Sequence, residues 1–370
     1  MVTFTIKWRC YLVRKIVQIR EMLIKENLEG VLITKNHNFH WITDGNGHIA
    51  ISSEKSISSI FISQKSIVLL TNNIEEKRLL QEEIGSIETF VYKWYECEYD
   101  ALKNIVKNIE KIGCDDNLYN LRNIENELKE IRIELNEEEK ELYISEGNEM
   151  MKIFETAVLS LTPDMTELQA QAIVSKKLIE NKFLPLVLLV FSDKRRMMYR
   201  HNLPSFEKLG NTFFVSTCSF RKGPIVSMTR SVSYNNSLEL KEQHKINSII
   251  EAQTFDYIKK GIFTKDIFFK IQEFYKSNGY ETEMSFHHQG GIIGYKTREE
   301  IVTPSSNIKI KNNMAFCFNP TITGTKSEDT FFIEKIGKKW VSWNEEKTQW
   351  PILKFNINGN MITRPDILIK

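Results

Sequence analysis

The sequence predicts an α/β domain followed by an α+β domain. Three observations carry this: a length of 370 residues suits two cores better than one, the first third alternates helical and strand-like patterns, and from Leu184 onward short apolar runs dominate. The boundary falls near Leu135, giving domains 1–134 and 135–370.

The elements follow in chain order. From Val13 to Asn27, Val13, Ile16, Val17, Ile19, Leu23 and Ile24 recur mostly at helical spacing, and Gly30 stands where a helix would stop. GVLIT, SIFIS and SIVLLT then read as strands, being short, β-branched and bounded by polar residues. IEEKRLLQEEI and ALKNIVKNIEKI read as charged helices, and 117–141 as helix plus linker. Two long helices in series open the second domain, NEEEKELYISEGNEMMKIFETAVLSL and a run after TPDM. There Thr166 stands as N-cap and Glu167 in the first turn, where the helix dipole favours an acid. LPLVLLVF, NTFFVSTCSF, PIVSMTRSVSY, GGIIGY, MAFCFNP and DTFFIEK read as strands, interrupted by one further helix over Leu240–Lys260. No repeat or low-complexity tract is present.

Fifty basic against 48 acidic residues leave a net charge of +2, so no overall field favours nucleic acid or an anionic membrane. The five cysteines are scattered without a C-x-x-C pair, which excludes a disulfide framework or zinc knuckle and fits reduced thiols in a cytoplasm. Lys7, Arg9, Arg14 and Lys15 interrupt the N-terminal apolar stretch, so neither a signal peptide nor a membrane span is expected.

Four segments in order, PDMTELQAQ, RHNLPS, FHHQGGIIGYKTREE and NPTITGTKSEDTFFIE, resemble the catalytic domain of the pita-bread peptidase family M24, in its creatinase and Xaa-Pro aminopeptidase branch. The preceding domain resembles that branch's creatinase-N domain. The resemblance implies an α/β creatinase-N-like domain plus an α+β pita-bread domain. Active members hold two divalent metals with two aspartates, a histidine and two glutamates, anionic oxygen that such cations need in order to activate a water.

Carried over by position, the two aspartates fall on Ser216 and Ser227, the second standing two residues before Thr229-Arg230. The metal-binding histidine matches His288, three residues before Gly291, with His287 as an adjacent alternative. The first glutamate falls on Asn319 before Pro320 and the second on Glu328 of the Glu328-Asp329 pair, while a catalytic histidine seven residues beyond the ligand falls on Tyr295. His201 aligns with a histidine that contacts substrate. Where the family pattern supplies a charge of about −4, Glu328 with His288 supplies about −1, too little for two divalent ions. No metal and no cofactor is therefore expected. A third donor to a single metal would have to come from elsewhere, such as Cys218 beside the same strand.

The bland readings are that Ser216 and Ser227 are small polar fillers, that His288 is a satisfied structural histidine, and that Glu328 and Asp329 enter a strand paired with Arg230 and Arg298. Gly290-Gly291 lacks the context of a phosphate loop. The functional reading makes His288 a proton-transfer group oriented by Glu328 in a metal-independent hydrolase of C–N bonds in amides or guanidines, as in creatinase. His201, Ser216, Ser227, Tyr295, Arg298 and Asn319 would contact the substrate. The alternatives are a non-catalytic pocket for a peptide or small molecule, and a metal-dependent Xaa-Pro aminopeptidase. A cytoplasmic homodimer with no nucleic-acid or membrane partner is the expectation.

Overall fold

The structure is a computed structural model that describes residues 2–370, with side chains from Arg14 onward. Residues 1–132 and 133–370 form two compact units. Cys10 and the start of the N-terminal pattern lie outside the described side chains; among the described residues no helix is long and apolar enough to cross a membrane.

The first unit is an α/β sheet domain. Helix α1 (Val2–Lys25) buries Ile16, Ile19, Met22 and Leu23, while the expected face residues Val17 and Ile24 are exposed. Their side chains fall outside the stripe that meets the sheet. Strands β1 (Gly30–Lys35), β2 (Lys55–Ser63), β3 (Ile67–Asn72), β4 (Glu88–Tyr92), β5 (Ile112–Cys114) and β6 (Arg122–Asn123) form one sheet in the order β4-β3-β2-β1-β5-β6. Helix α2 (Asn36–Thr43) follows β1 directly, and a short turn of helix, α3 (Glu76–Arg78), follows β3. Helix α4 (Glu98–Ile105) is shorter than its charged pattern predicts, because Val106 is already extended and the remaining apolar residues turn into β5. Helix α5 (Glu125–Arg132) closes the unit. Its Glu125 accepts from His37 and Asn38 and pairs with Arg132 at 3.1 Å.

The second unit opens with α6 (Glu137–Leu159) and α7 (Glu167–Glu180). Asn136 with Glu139 and Thr166 with Gln169 close reciprocal capping boxes, which satisfy the first amides of each helix and fix where it starts. Strands β7 (Leu184–Phe191), β8 (Thr212–Phe220), β9 (Val226–Ser233), β10 (Gly290–Ile293), β11 (Glu300–Ile301), β12 (Ala315–Phe318) and β15 (Asp329–Ile333) lie in the order β11-β10-β12-β15-β9-β8-β7. A small hairpin, β13 (Thr321–Ile322) with β14 (Thr325–Lys326), links β12 to β15. Strand β16 (Lys338–Trp340) pairs with β15, β17 (Ile352–Ile357) with β18 (Asn360–Pro365), and β19 (Leu368–Ile369) with β9.

Helix α8 (Leu238–Tyr257) stands where one further helix is expected, but a second, α9 (Thr264–Ser277), follows it. Ile267, Ile271 and Tyr275 of α9 are buried in one cluster with Ile250 of α8 and Phe316, Phe318 and Phe331 of the sheet. Gly290 and Gly291 are explained by strand packing: a Cβ on Gly290 would lie 2.2 Å from the Cys317 carbonyl, and one on Gly291 2.1 Å from that of Glu300. Gly290 also has φ +97°, which a side chain would resist.

Candidate active site

Side chains two apart on a strand share a face. Ser216 and Cys218 of β8 therefore stand together, opposite Thr229 and Ser227 of β9. Ser216 and Thr229 hydroxyls lie 2.7 Å apart, and Cys218 Sγ lies 3.1 Å from Ser227 Oγ. Glu328, just before β15, reaches over this row. Its Oε1 accepts from Ser227 Oγ and its Oε2 from Thr229 Oγ1, both at 2.8 Å. Arg298 Nη2 and Lys326 Nζ complete the shell, each 3.2 Å from a Glu328 oxygen.

A cavity of about 120 Å³ opens beside this shell, lined among others by His201, Ser216, His288, Arg298, Asn319, Lys326 and Glu328. Two predicted contacts do not line it. Ser227 is fully buried with its hydroxyl committed to Glu328, and Tyr295 is buried with its OH donating at 2.8 Å to Glu139, the capping residue of α6. The predicted orientation of His288 by Glu328 is also corrected. Both oxygens of Glu328 are held by Ser227, Thr229, Arg298 and Lys326, and His288 Nδ1 has no hydrogen-bond partner.

The electrostatics follow from burial and these pairs. Burial alone would raise the Glu328 carboxyl, but Lys326, Arg298 and the two hydroxyls hold it far below the usual range, so it stays ionised. Burial, with Arg298 and Lys326 nearby, lowers His288 to about 4, and burial also pushes His287 down to about 2, so both rings are neutral at pH 7. Burial raises the Cys218 and Cys317 thiols, and neither offers a thiolate.

The adjacent acid points the other way. Asp329 accepts from Arg230 at 3.2 Å and pairs with Arg364 at 2.7 Å, in a buried cluster that also holds Glu155 and Glu251. The sequence sets Arg230 and Arg298 as partners of this acid pair without assigning them, and the structure gives Arg298 to Glu328 and Arg230 to Asp329.

Two residues carry more than the sequence reading assigned. Lys326 sits in β14 and is 5% exposed, so its ammonium meets Glu328 under cover from solvent. A lysine two residues before an expected ligand was the available signal. Glu167, placed only as a helix-start acid, is fully buried and anchors the loop carrying His201. It accepts from Asn202 Nδ2 at 2.7 Å, from Ser205 N at 3.0 Å and from Ser192 N at 3.1 Å, and pairs with Arg195.

The five positions matched to the family's metal ligands thus present two hydroxyls, an imidazole, an amide and one carboxylate. A family model described as metallopeptidase family M24 matches residues 147–340 of the chain. The chain belongs to metallopeptidase family M24. The M24 chain also matches the creatinase/prolidase N-terminal domain over residues 15–135. Its fold is that of a prolidase from Pyrococcus horikoshii, with TM-score 0.76, 20% identity and coverage of 90% of this chain and 99% of that one. An X-Pro aminopeptidase from Thermotoga maritima superposes with TM-score 0.75 at 19% identity, covering 90% and 98% of the two chains. The N-terminal domain of the FACT complex subunit SPT16 from Eremothecium gossypii superposes with TM-score 0.66 at 11% identity, covering 92% and 97%. At these identities the likeness concerns the fold alone. No curated protein sequence matches the chain.

Proposed function

We propose that this M24 chain recognises a peptide or small-molecule ligand in the family pocket without assembling the dinuclear acid-held metal centre. The observation that carries the reading is the partnership of Glu328. It is the one carboxylate among the five ligand positions, and Lys326 and Arg298 already neutralise it at 3.2 Å each. Two divalent cations need several anionic oxygens. One carboxylate held by two protein cations does not fit them, and the added charges would meet an ammonium and a guanidinium.

The pocket charge is then +1, from Lys326 and Arg298 against Glu328, and the buried Nε of Arg298 has no hydrogen-bond partner. A ligand bringing an acceptor group suits these donors. SPT16, described as a complex subunit, keeps the same fold, which supports recognition as a use of the frame.

A second reading, metal-independent C–N hydrolysis, rests on one observation: neutral His288 lines the cavity, and its buried Nδ1 has no hydrogen-bond partner that would fix the ring's tautomer. It ranks second because Glu328 does not orient that ring and the hydroxyls of Ser216 and Ser227 are engaged elsewhere.

The deciding experiment is Xaa-Pro dipeptide hydrolysis by metal-stripped protein with and without added Mn²⁺, alongside metal stoichiometry. No hydrolysis and no pair of bound Mn²⁺ ions is expected. Mn²⁺-dependent turnover would overturn the proposal; metal-independent turnover lost in His288→Ala would establish the second reading.

A further inference from the structure

We propose that His201, His287 and His288 form a site for one divalent cation of borderline softness, zinc foremost, beside the cavity. Each residue offers a ring nitrogen, and the three atoms lie within 4.8 Å of one another. The rings converge from two elements. His287 and His288 stack with centroids 4.4 Å apart, and His201, on the loop anchored by Glu167, meets His287 at 4.9 Å and His288 at 6.0 Å.

Two distances bear on the metal. The Nε2 atoms of His201 and His287 are 3.2 Å apart. Around tetrahedral zinc, with Zn–N bonds of about 2.0–2.1 Å, two ligand nitrogens lie about 3.3–3.4 Å apart. The same separation suits a hydrogen bond between two imidazoles, so the remaining nitrogens matter. His287 is 8% exposed, and its Nδ1, like that of His288, is buried without a partner. No second hydrogen bond fixes the tautomer of either ring, so each can turn a lone pair to a cation while the proton sits on the other nitrogen.

The donor set selects the ion. Three neutral imidazoles without a carboxylate favour zinc, nickel or copper over manganese or magnesium, which prefer oxygen. Lys326 and Arg298 pair with Glu328 at 3.2 Å but still act on the neighbouring rings, Lys326 on His287 and both on His288, so the site takes one ion at most and opposes a second. Three nitrogen ligands leave a fourth position for solvent or a ligand group, the composition of an open zinc site. His288 is one of the five positions matched to the acid-held centre, whereas His201 and His287 lie outside them, so the site draws on a single family position and on none of the carboxylate positions.

Calorimetric titration of the metal-stripped full chain with Zn²⁺, and the visible spectrum after loading with Co²⁺, test the proposal. One ion per chain and the absorption of tetrahedral Co²⁺ are expected. Even partners outside the ligand shell cost about 10–100-fold in affinity, so His201→Gln and His287→Gln should each weaken Zn²⁺ binding by at least about 100-fold. His48→Gln, at a histidine outside the cluster, should leave it unchanged. Failure to bind one Zn²⁺ per chain, or native affinity in both cluster variants, would overturn the site. His201 is exposed, so its variant should keep the native melting temperature, which separates lost ligation from lost folding.

Discussion

Lys326 and Glu328 show how a pair of side chains decides the chemistry of a pocket. A buried carboxylate deprived of one cation keeps its desolvation penalty and loses part of its compensation. Lys326→Met should therefore lower unfolding stability by about 2–4 kcal/mol, read from denaturant melts. Adding Glu328→Gln should restore a sizeable part of that loss, because the double variant no longer buries an under-compensated charge. Non-recovery would mean that Lys326 acts through its packing instead. The carboxylate was legible in the sequence as a retained acid. Both of its cations are readable along the chain: Arg298 stands in a recognised segment, and Lys326 stands two residues before the acid, a spacing that puts side chains on one face of extended backbone.

Glu125 links elements of the first unit. Burial would raise its carboxyl, but the hydrogen bond from His37 and the charge of Arg132 lower it from 4.5 to about 2. A depressed carboxyl stabilises the fold above its unfolded value and ceases to do so as pH falls through its folded value. Glu125→Gln should cost about 1–3 kcal/mol at pH 7, and the difference from native protein should shrink between pH 4.5 and 2, as measured by melts across that window. An undiminished difference at pH 2 would assign the loss to hydrogen bonding alone. In the second unit, Glu167 fastens the His201 loop to α7. Glu167→Ala should destabilise the unit by about 2–4 kcal/mol and raise amide exchange across 195–205, because it strands Arg195 and two backbone amides. Capping signals made the starts of α6 and α7 readable in sequence, since caps act within a turn. Helix α9 is equally local: Ile267, Phe268, Ile271, Phe274 and Tyr275 recur at helical spacing and Gly279 follows its end, so its pattern is legible without the sheet.

For the molecule as a whole, the M24 fold is set by backbone pairing and packing. The strand pairing that sets Ser216 opposite Thr229 and Ser227 opposite Cys218 is independent of what those side chains carry. On the proposed reading, placing acids in a triple variant, Ser216→Asp, Ser227→Asp and Asn319→Glu, should strengthen Mn²⁺ binding over that of the native chain. Saturation at about 100 times Kd would stabilise the variant by about 2.7 kcal/mol, visible as a rise in melting temperature on adding Mn²⁺. Equal response of native and variant proteins would count against the charge argument.

The family frame and the residues at the five matched positions are readable along the chain, because strand spacing and the fixed offsets to Thr229-Arg230 and Pro320 are local, one-dimensional quantities. Tertiary structure alone decided what those residues do. It set Lys326 and Arg298 on Glu328, withdrew Tyr295 to Glu139, left His288 unoriented and gathered His201, His287 and His288. Apart from Lys326, which stands two residues from Glu328, these contacts join segments far apart in the chain. Their distances follow from how the strands, loops and hairpin pack, which no spacing along the sequence encodes.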